Sequence, residues 1–545
     1  MKQIAILLII ALIVGVPFLL RPEQEIAGPA TRTIVLISPH NEAIRNEFER
    51  GFREWYFQET GELVAFDWRS VGGTSEIVRF VNSSFTNRFR NYWENTLGKQ
   101  WNERVQNGFA NRRLVPGEDP ENDTEEEAAR RAFLNSDVGI GIDIFFGGGS
   151  FDLDRQAERG NLVPWLSGAE MEERFPDDVL PQSFAGETFW HRDGKWVGVV
   201  LSTFGIVYNE DALASLGVDR APERWDDLAD PRYLGKVALA DPTKSGSSTK
   251  AFEMIVQQRM QEIVADLIES GLDRERAEER GVPLGWMDGM RLIQRISANA
   301  RYFTDSASKP VIDVSMGDCA VGMAIDFYGR FQEETVLRRS GRDRIRYIAP
   351  RGGSTVSADP MGIFRGAPNE EVARAFMDYV ASMPGQRLWA QRVGTEGGPR
   401  DYALRRSAAL RQIYAEENRA NLSDPDVNPY EEVGDFTYRS DWTGRLFGPL
   451  RFLIKVCFID PHEELRLAWS AIQRANEEGR DADRDAAIEL FDDLSEISMQ
   501  AASNKIGKTL SGGDKVAQIR LAKDITDSFR ARYREVVRLA SGSVR

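Results

Sequence analysis

Small hydroxyl residues and glycines gather at several points where a strand gives way to a helix. Such junctions present unpaired backbone N–H groups to an oxygen-bearing ligand. The fullest is Val237 to Lys250: an apolar strand, Val237 to Ala240, stops at Asp241-Pro242, and Ser245, Gly246, Ser247 and Ser248 open a helical run from about Thr249 to Met260. The first helical turn carries partial positive charge, and small residues let a ligand oxygen approach it. Val71-Gly-Gly-Thr-Ser-Glu76 repeats the arrangement with Gly73, Thr74 and Ser75, and Phe146 is followed by Gly147, Gly148, Gly149 and Ser150. Ser38 and His40 end the first strand, and Thr203 adds a hydroxyl. Asp326 and Tyr328 would meet a cationic or hydroxyl portion of a solute, with Arg330 either an anion partner or a surface charge. Turns favour glycine for conformational reasons, so the weight rests on recurrence at successive strand ends.

Catalysis finds no support in these residues. A serine nucleophile needs a base held by a third group, and the 545 residues contain only His40, His191 and His462. No Gly-x-Ser-x-Gly elbow, His-Glu-x-x-His pair or Cys-x-x-Cys motif occurs. The net charge of −16 argues against a nucleic-acid partner, whose backbone needs a basic stripe. Two cysteines, Cys319 and Cys457, build no disulfide framework, and whether they pair is open.

The elements that must position these residues alternate. Strands are expected at Thr33 to Ile37, Val64 to Trp68, Ile140 to Phe146, within Trp190 to Tyr208, at Cys319 to Ile325 and at Ser354 to Phe364. Helices are expected after them, with Ile44, Phe48, Phe52 and Trp55 at helical spacing, and over Ala251 to Ser270, Trp286 to Arg301 and Glu370 to Ala381. Strands alternating with helices predict sheets covered by helices, with ligands in the crevice at the carboxyl ends of the strands.

Three stretches stand outside this rhythm. Residues 1–30 hold an apolar run from Ile4 to Leu20 and read as an export signal or a retained membrane anchor, with no cysteine after the run for lipid attachment. Residues 82–138 read as an insert, basic and aromatic first (Arg88, Arg90, Tyr92, Trp93), then acidic, forming a helix pair that decorates one lobe. Residues 441–545 read as a helical extension packed against the body. Asp460 to Asn504 carries 12 acidic and 4 basic residues, whereas Lys505 to Arg545 carries 4 and 10, which favours pairing of its helices.

Trp225-Asp-Asp-Leu, Gly235-Lys-Val-Ala-Leu-Ala-Asp-Pro-Thr-Lys-Ser-Gly-Ser247, Ser202-Thr-Phe-Gly-Ile-Val-Tyr-Asn209 and Val321-Gly-Met-Ala-Ile-Asp-Phe-Tyr-Gly-Arg330 together resemble the extracellular solute-binding proteins of ABC importers, in the branch that includes the ferric-ion binders. The resemblance covers roughly residues 31 to 415 and leaves the last hundred unexplained. It implies an α/β, two-lobed fold of the type 2 periplasmic-binding-protein kind, with the helical extension added. Lobe 1 would take residues 31–205 and 331–440, lobe 2 residues 206–330, and the lobes would cross near Ser202 to Ile206 and Asp326 to Arg330, closing on a hinge.

The same resemblance implies metal ligands at His40 and Glu76 and a pair of tyrosines, of which this chain keeps only Tyr328 beside Phe327, with Asp326 as a substitute. Two readings of the cargo therefore stand: Fe³⁺ held by His40, Glu76, Asp326 and Tyr328, or a small organic or oxyanion solute held by the hydroxyl and glycine loops. The implied protein is a periplasmic, non-catalytic monomer that hands its solute to a membrane permease. The alternative is a sensor or scaffold on the same fold, with the C-terminal helices as output.

Overall fold

The computed structural model describes residues 30–431, 436–512 and 514–542. The expected export signal falls almost wholly outside them. Among the described residues no helix is long and apolar enough to cross a membrane.

The chain lays down β1 (Arg32–Ile37), β2 (Val64–Arg69), β3 (Ile144–Phe146), the short β4 (Leu162–Val163) and a hairpin of β5 (Ser183–Phe184) and β6 (Glu187–Thr188). Then come β7 (Val197–Ser202), β8 (Phe204–Asn209), β9 (Val237–Ala240), β10 (Ala300–Thr304), β11 (Val321–Ile325), β12 (Ile345–Ile348), β13 (Ser357–Phe364) and β14 (Ser407–Ala408). They form two large sheets on one plan. Lobe 1 has the order β2-β1-β3-β13-β7-β14, and lobe 2 has β10-β9-β11-β8-β12. In each, strands joined by helices run parallel, and a strand from the other half of the chain enters antiparallel: β13 beside β3 and β7, β8 beside β11 and β12. The central strands β7, β8, β9 and β11 are buried along their whole length, as sheets covered on both faces require.

Two corrections to the expected boundaries follow. Because β12 pairs with β8, lobe 2 extends to Ile348, and the return crossing is the segment from there to Ser357 rather than Asp326 to Arg330. Asp326 to Ser340 is instead a helix. The two crossings lie side by side: Ser354 Oγ donates to the Phe204 carbonyl at 2.7 Å and accepts from the Phe204 N–H at 3.2 Å. The segment 82–138 is also no decoration. The helix begun at Thr74 continues to Asn91, and Phe85, Phe89, Trp93, Val105, Phe109 and Phe133 form one buried cluster with Val35, Ile37 and Phe145 of the sheet. Its aromatic residues are core, covering one face of lobe 1.

The C-terminal helices His462–Glu477, Asp481–Phe491 and Lys515–Ala540 form a bundle that shares a single hydrophobic core with lobe 2. Polar bonds seal the joint: Trp286 Nε1 donates to the Ile497 carbonyl at 2.9 Å, and Gln294 Nε2 to the Phe491 carbonyl at 3.1 Å. The opposite charges of the two halves do meet at the surface, where Arg530 and Arg534 face Glu464. Exposed pairs of this kind contribute little, so the bundle is held mainly by its apolar faces. Cys319 and Cys457 are both free and buried.

A shared core predicts shared unfolding. Phe491→Ala, at a fully buried ring stacked on Trp469, should cost about 3–5 kcal/mol. Hydrogen exchange should speed up in β9 and β11 of lobe 2 as well as in the bundle; loss of protection confined to residues 460–540 would show the bundle to be a separate folding unit.

Candidate functional site

The strand-to-helix junctions of the two lobes meet around one cavity of about 1070 Å³. His40, Gly73, Thr74, Gly148 and Gly149 of lobe 1 and Ser245, Gly246, Ser247 and Tyr328 of lobe 2 line it. Ser38, Ser75, Glu76, Thr203 and Asp326 do not. Ser38 Oγ accepts from the His40 N–H, fixing the turn. Ser75 lies buried in the helix that Thr74 begins. Thr203 Oγ1 bonds the Tyr347 hydroxyl at 3.1 Å, and Glu76 pairs with Arg79 on the next turn of its own helix. Asp326 is buried beneath the cavity wall, accepting from the Phe327 N–H at 2.8 Å and facing Arg330 at 3.4 Å.

The lobes close on each other here. A methyl group added to Gly73 would lie 3.1 Å from the Lys244 carbonyl, and one on Gly246 would lie 3.8 Å from Asp152 Oδ2. Gly147 and Gly148 have φ of 93° and 101°, a backbone only glycine adopts readily, and a side chain at 147 would strike the His40 ring. The helices Thr74–Asn91 and Ser150–Arg159 begin at Gly73 and Gly149, and neither start has a side-chain cap. Their N–H groups are thus left to whatever enters the cavity. The third start, at Ser245, uses its own hydroxyl to accept from the Ser248 N–H at 3.2 Å.

Beneath them sits Arg406, a residue for which the sequence offers no pattern. The preceding Arg405 takes a left-handed backbone (φ 51°). Arg406 pairs with Asp359, donates to Ser202 Oγ at 2.8 Å, and lies 4.2 Å from the Phe327 ring centroid. It also lies 3.3 Å from His40 Nε2. A guanidinium has no lone pair, so that imidazole nitrogen must accept, which leaves the proton on Nδ1. Burial, then Arg406 and Arg45, hold the His40 pKa far below its usual range, and the ring is neutral. Its Nδ1–H is a buried donor without a partner among the described residues.

A second charged group ties the lobes together. Lys250 of lobe 2 lies 2.8 Å from Glu187 in the β5–β6 hairpin of lobe 1 and 3.1 Å from Glu253, with its ammonium 3.3 Å from the centroid of Tyr438. Burial alone would lower the Lys250 pKa, but Glu187 and Glu253 raise it; burial raises that of Glu187. Tyr438 and Thr443 both donate to Glu253 Oε1, at 3.0 and 2.6 Å, so the segment leading into the bundle joins the network.

Asp152 is buried in the cavity wall, and burial lifts its pKa from 3.8 to about 6 against the pull of Arg451. A raised carboxyl pKa means that the folded state binds more protons between about pH 4 and 6, so folding is opposed above pH 6 and not below pH 4. Asp152→Asn should therefore raise the stability of the ligand-free protein at pH 8 by up to about 3 kcal/mol and by little at pH 4, measured by urea unfolding at both pH values. A gain of equal size at both would remove the charge explanation.

Residues 170–395, fewer than half of the chain, match the family model described as bacterial extracellular solute-binding protein. Among curated relatives, an uncharacterised protein of Haemophilus influenzae is 25% identical over 46% of this chain and 61% of its own length. The phosphoglycerate transport regulatory protein PgtC of Salmonella typhimurium is 24% identical over 36% and 40%, and the iron uptake protein A2 of Synechocystis is 24% identical over 43% and 59%. The chain thus spans less than two thirds of the length of these relatives. Among solved structures, the periplasmic binding protein AfuA from Actinobacillus pleuropneumoniae, with fructose-6-phosphate bound, is 16% identical, covers 79% of this chain and 99% of its own, and superposes with a TM-score of 0.48. The matched stretch runs from before β5 to beyond β13 and so takes in lobe 2, both crossings and the return into lobe 1.

Proposed function

We propose that this protein captures a small anionic organic solute between its lobes and delivers it to an ABC permease in the membrane. The observation that carries the reading is the pair of uncapped helix starts at Gly73 and Gly149, opening on the same cavity as the Ser245–Ser247 turn of the opposite lobe. Backbone N–H groups at such starts, with the helix dipole behind them, bind phosphate or carboxylate oxygens. Lys244 lines the cavity beside them and has no ion-pair partner among the described residues, and His40 adds a neutral N–H donor. A solute touching both lobes favours the closed form because it binds that form more tightly, and a permease can read closure.

Fe³⁺ fits these donors poorly. The accepting nitrogen of His40 is already engaged by Arg406 and the other carries the proton, Glu76 is turned to Arg79, and Arg406 places a fixed positive charge next to Tyr328 and His40. Among the described residues no group of three His, Cys, Asp or Glu side chains could hold a metal ion. The names of the Synechocystis relatives keep iron as the competing reading.

Native mass spectrometry of the protein as purified should find an anionic organic molecule, and metal analysis should find iron far below one per chain. Lys244→Glu separates the readings by sign. It should weaken binding of the co-purified solute by about tenfold or more, whereas a bound cation would be held more tightly. Undiminished solute binding by that variant would overturn the anionic reading.

A further inference from the structure

The chain carries a net charge of −16, yet one end of the cavity gathers arginines. The helix Ser150–Arg159 runs from the Gly149 start along the cavity wall, and Phe151, Arg155 and Glu158 share one face of it. The Arg155 guanidinium lies 4.8 Å from the Phe151 ring centroid, and the ring of Phe447, in the segment leading into the C-terminal bundle, lies 4.7 Å from the same ring. Arg445, two residues before Phe447, lines the cavity, as do Arg112 and Arg113 from the segment covering lobe 1. Arg112 pairs with Glu158. Arg113, Arg155 and Arg445 have no ion-pair partner among the described residues. Of the acids on this helix, Asp154 accepts from Trp196 Nε1 at 2.7 Å, and burial raises its pKa to about 6.

A guanidinium presents five donors in a planar fork suited to phosphate and carboxylate oxygens. We propose that Arg155 and Arg445, with Arg113, form a second anion subsite, and that the solute carries two anionic groups, one at the helix starts and one here. This inference rests on the anionic-solute reading above and narrows it. At ~1.5 Å of rise per residue, Arg155 stands ~7–8 Å along the helix from its start and Glu158 ~12 Å. The rise to Arg155 sets the two groups at least about 7–8 Å apart, the span of a sugar-sized molecule bearing an anion at each end. A lone inorganic anion would leave most of the 1070 Å³ empty. Both of the parts that flank the α/β plan, the segment 92–138 and the C-terminal segment, supply arginines to this subsite, so the additions to the fold set the length and charge of the cargo.

The test uses the full chain, freed of co-purified solute, titrated calorimetrically at fixed ionic strength with a hexose 6-phosphate and a hexose 1,6-bisphosphate. The bisphosphate should bind at least about tenfold tighter than the monophosphate, and R155Q/R445Q should cut that ratio to under about threefold. R445Q alone, at an exposed position that should not disturb folding, should take part of the loss. R339Q, at an exposed arginine that does not line the cavity, should leave the ratio as it is. Equal affinities in the unaltered protein, or a ratio that survives in R155Q/R445Q, would overturn the second subsite while leaving the anionic reading in place. Binding of neither sugar phosphate would overturn both.

Discussion

The ammonium of Lys250 is where the separate parts of this molecule are obliged to meet. Its side chain is only 13% exposed, and a charge so far withdrawn from water is tolerated only when paired. Its partners come from different places: Glu187 from a hairpin of lobe 1, Glu253 from its own helix in lobe 2, and the face of Tyr438 from the segment that leads to the bundle. When the lobes part, Glu187 must leave, and water must replace it. The closed arrangement is therefore favoured by the pair and opposed by the second carboxylate, which leaves this group sensitive to whatever else the lobes share in the cavity. On the function proposed above, that balance suits a protein whose solute would decide between two forms.

The same logic explains the floor of the cavity. Arg406 neutralises Asp359, stacks on Phe327 and forces His40 into a neutral tautomer with its donor nitrogen unpaired. A residue type that could ligate a metal is thereby converted into a hydrogen-bond donor by its neighbour. The chemistry of a histidine is set by which nitrogen is already engaged, and that is decided by packing.

The C-terminal bundle changes what the lobes are. Its helices share a core with lobe 2, and the segment joining it to lobe 1 packs Tyr430 on Phe184 and passes the Tyr438 N–H to the Ala185 carbonyl at 2.8 Å. A third passage of chain thus runs between the lobes besides β7–β8 and β12–β13. Any motion about the first two would carry the bundle along, because Phe447 and Arg445 belong with lobe 2 and face the helix of Phe151.

Much of this was legible without coordinates. The alternation of strands and helices, the glycine and hydroxyl turns at 73–75, 148–149 and 245–247 and the helical character of the last hundred residues all follow from local pattern, because periodicity and turn chemistry act over a few neighbours. The return crossing was misplaced because β12, a short strand flanked by charged residues, takes its identity from pairing with β8. The aromatic residues of 82–138 looked like decoration because the surface they cover belongs to β1 and β3, far away in sequence. Arg406, Lys250 and Arg155 could not be singled out, since an arginine or lysine shows no local sign of whether it will face solvent or a carboxylate. The order of elements and the backbone turns are written in short-range preference; which charges are buried together, and hence what the cavity can hold, was decided only when segments hundreds of residues apart were packed against each other.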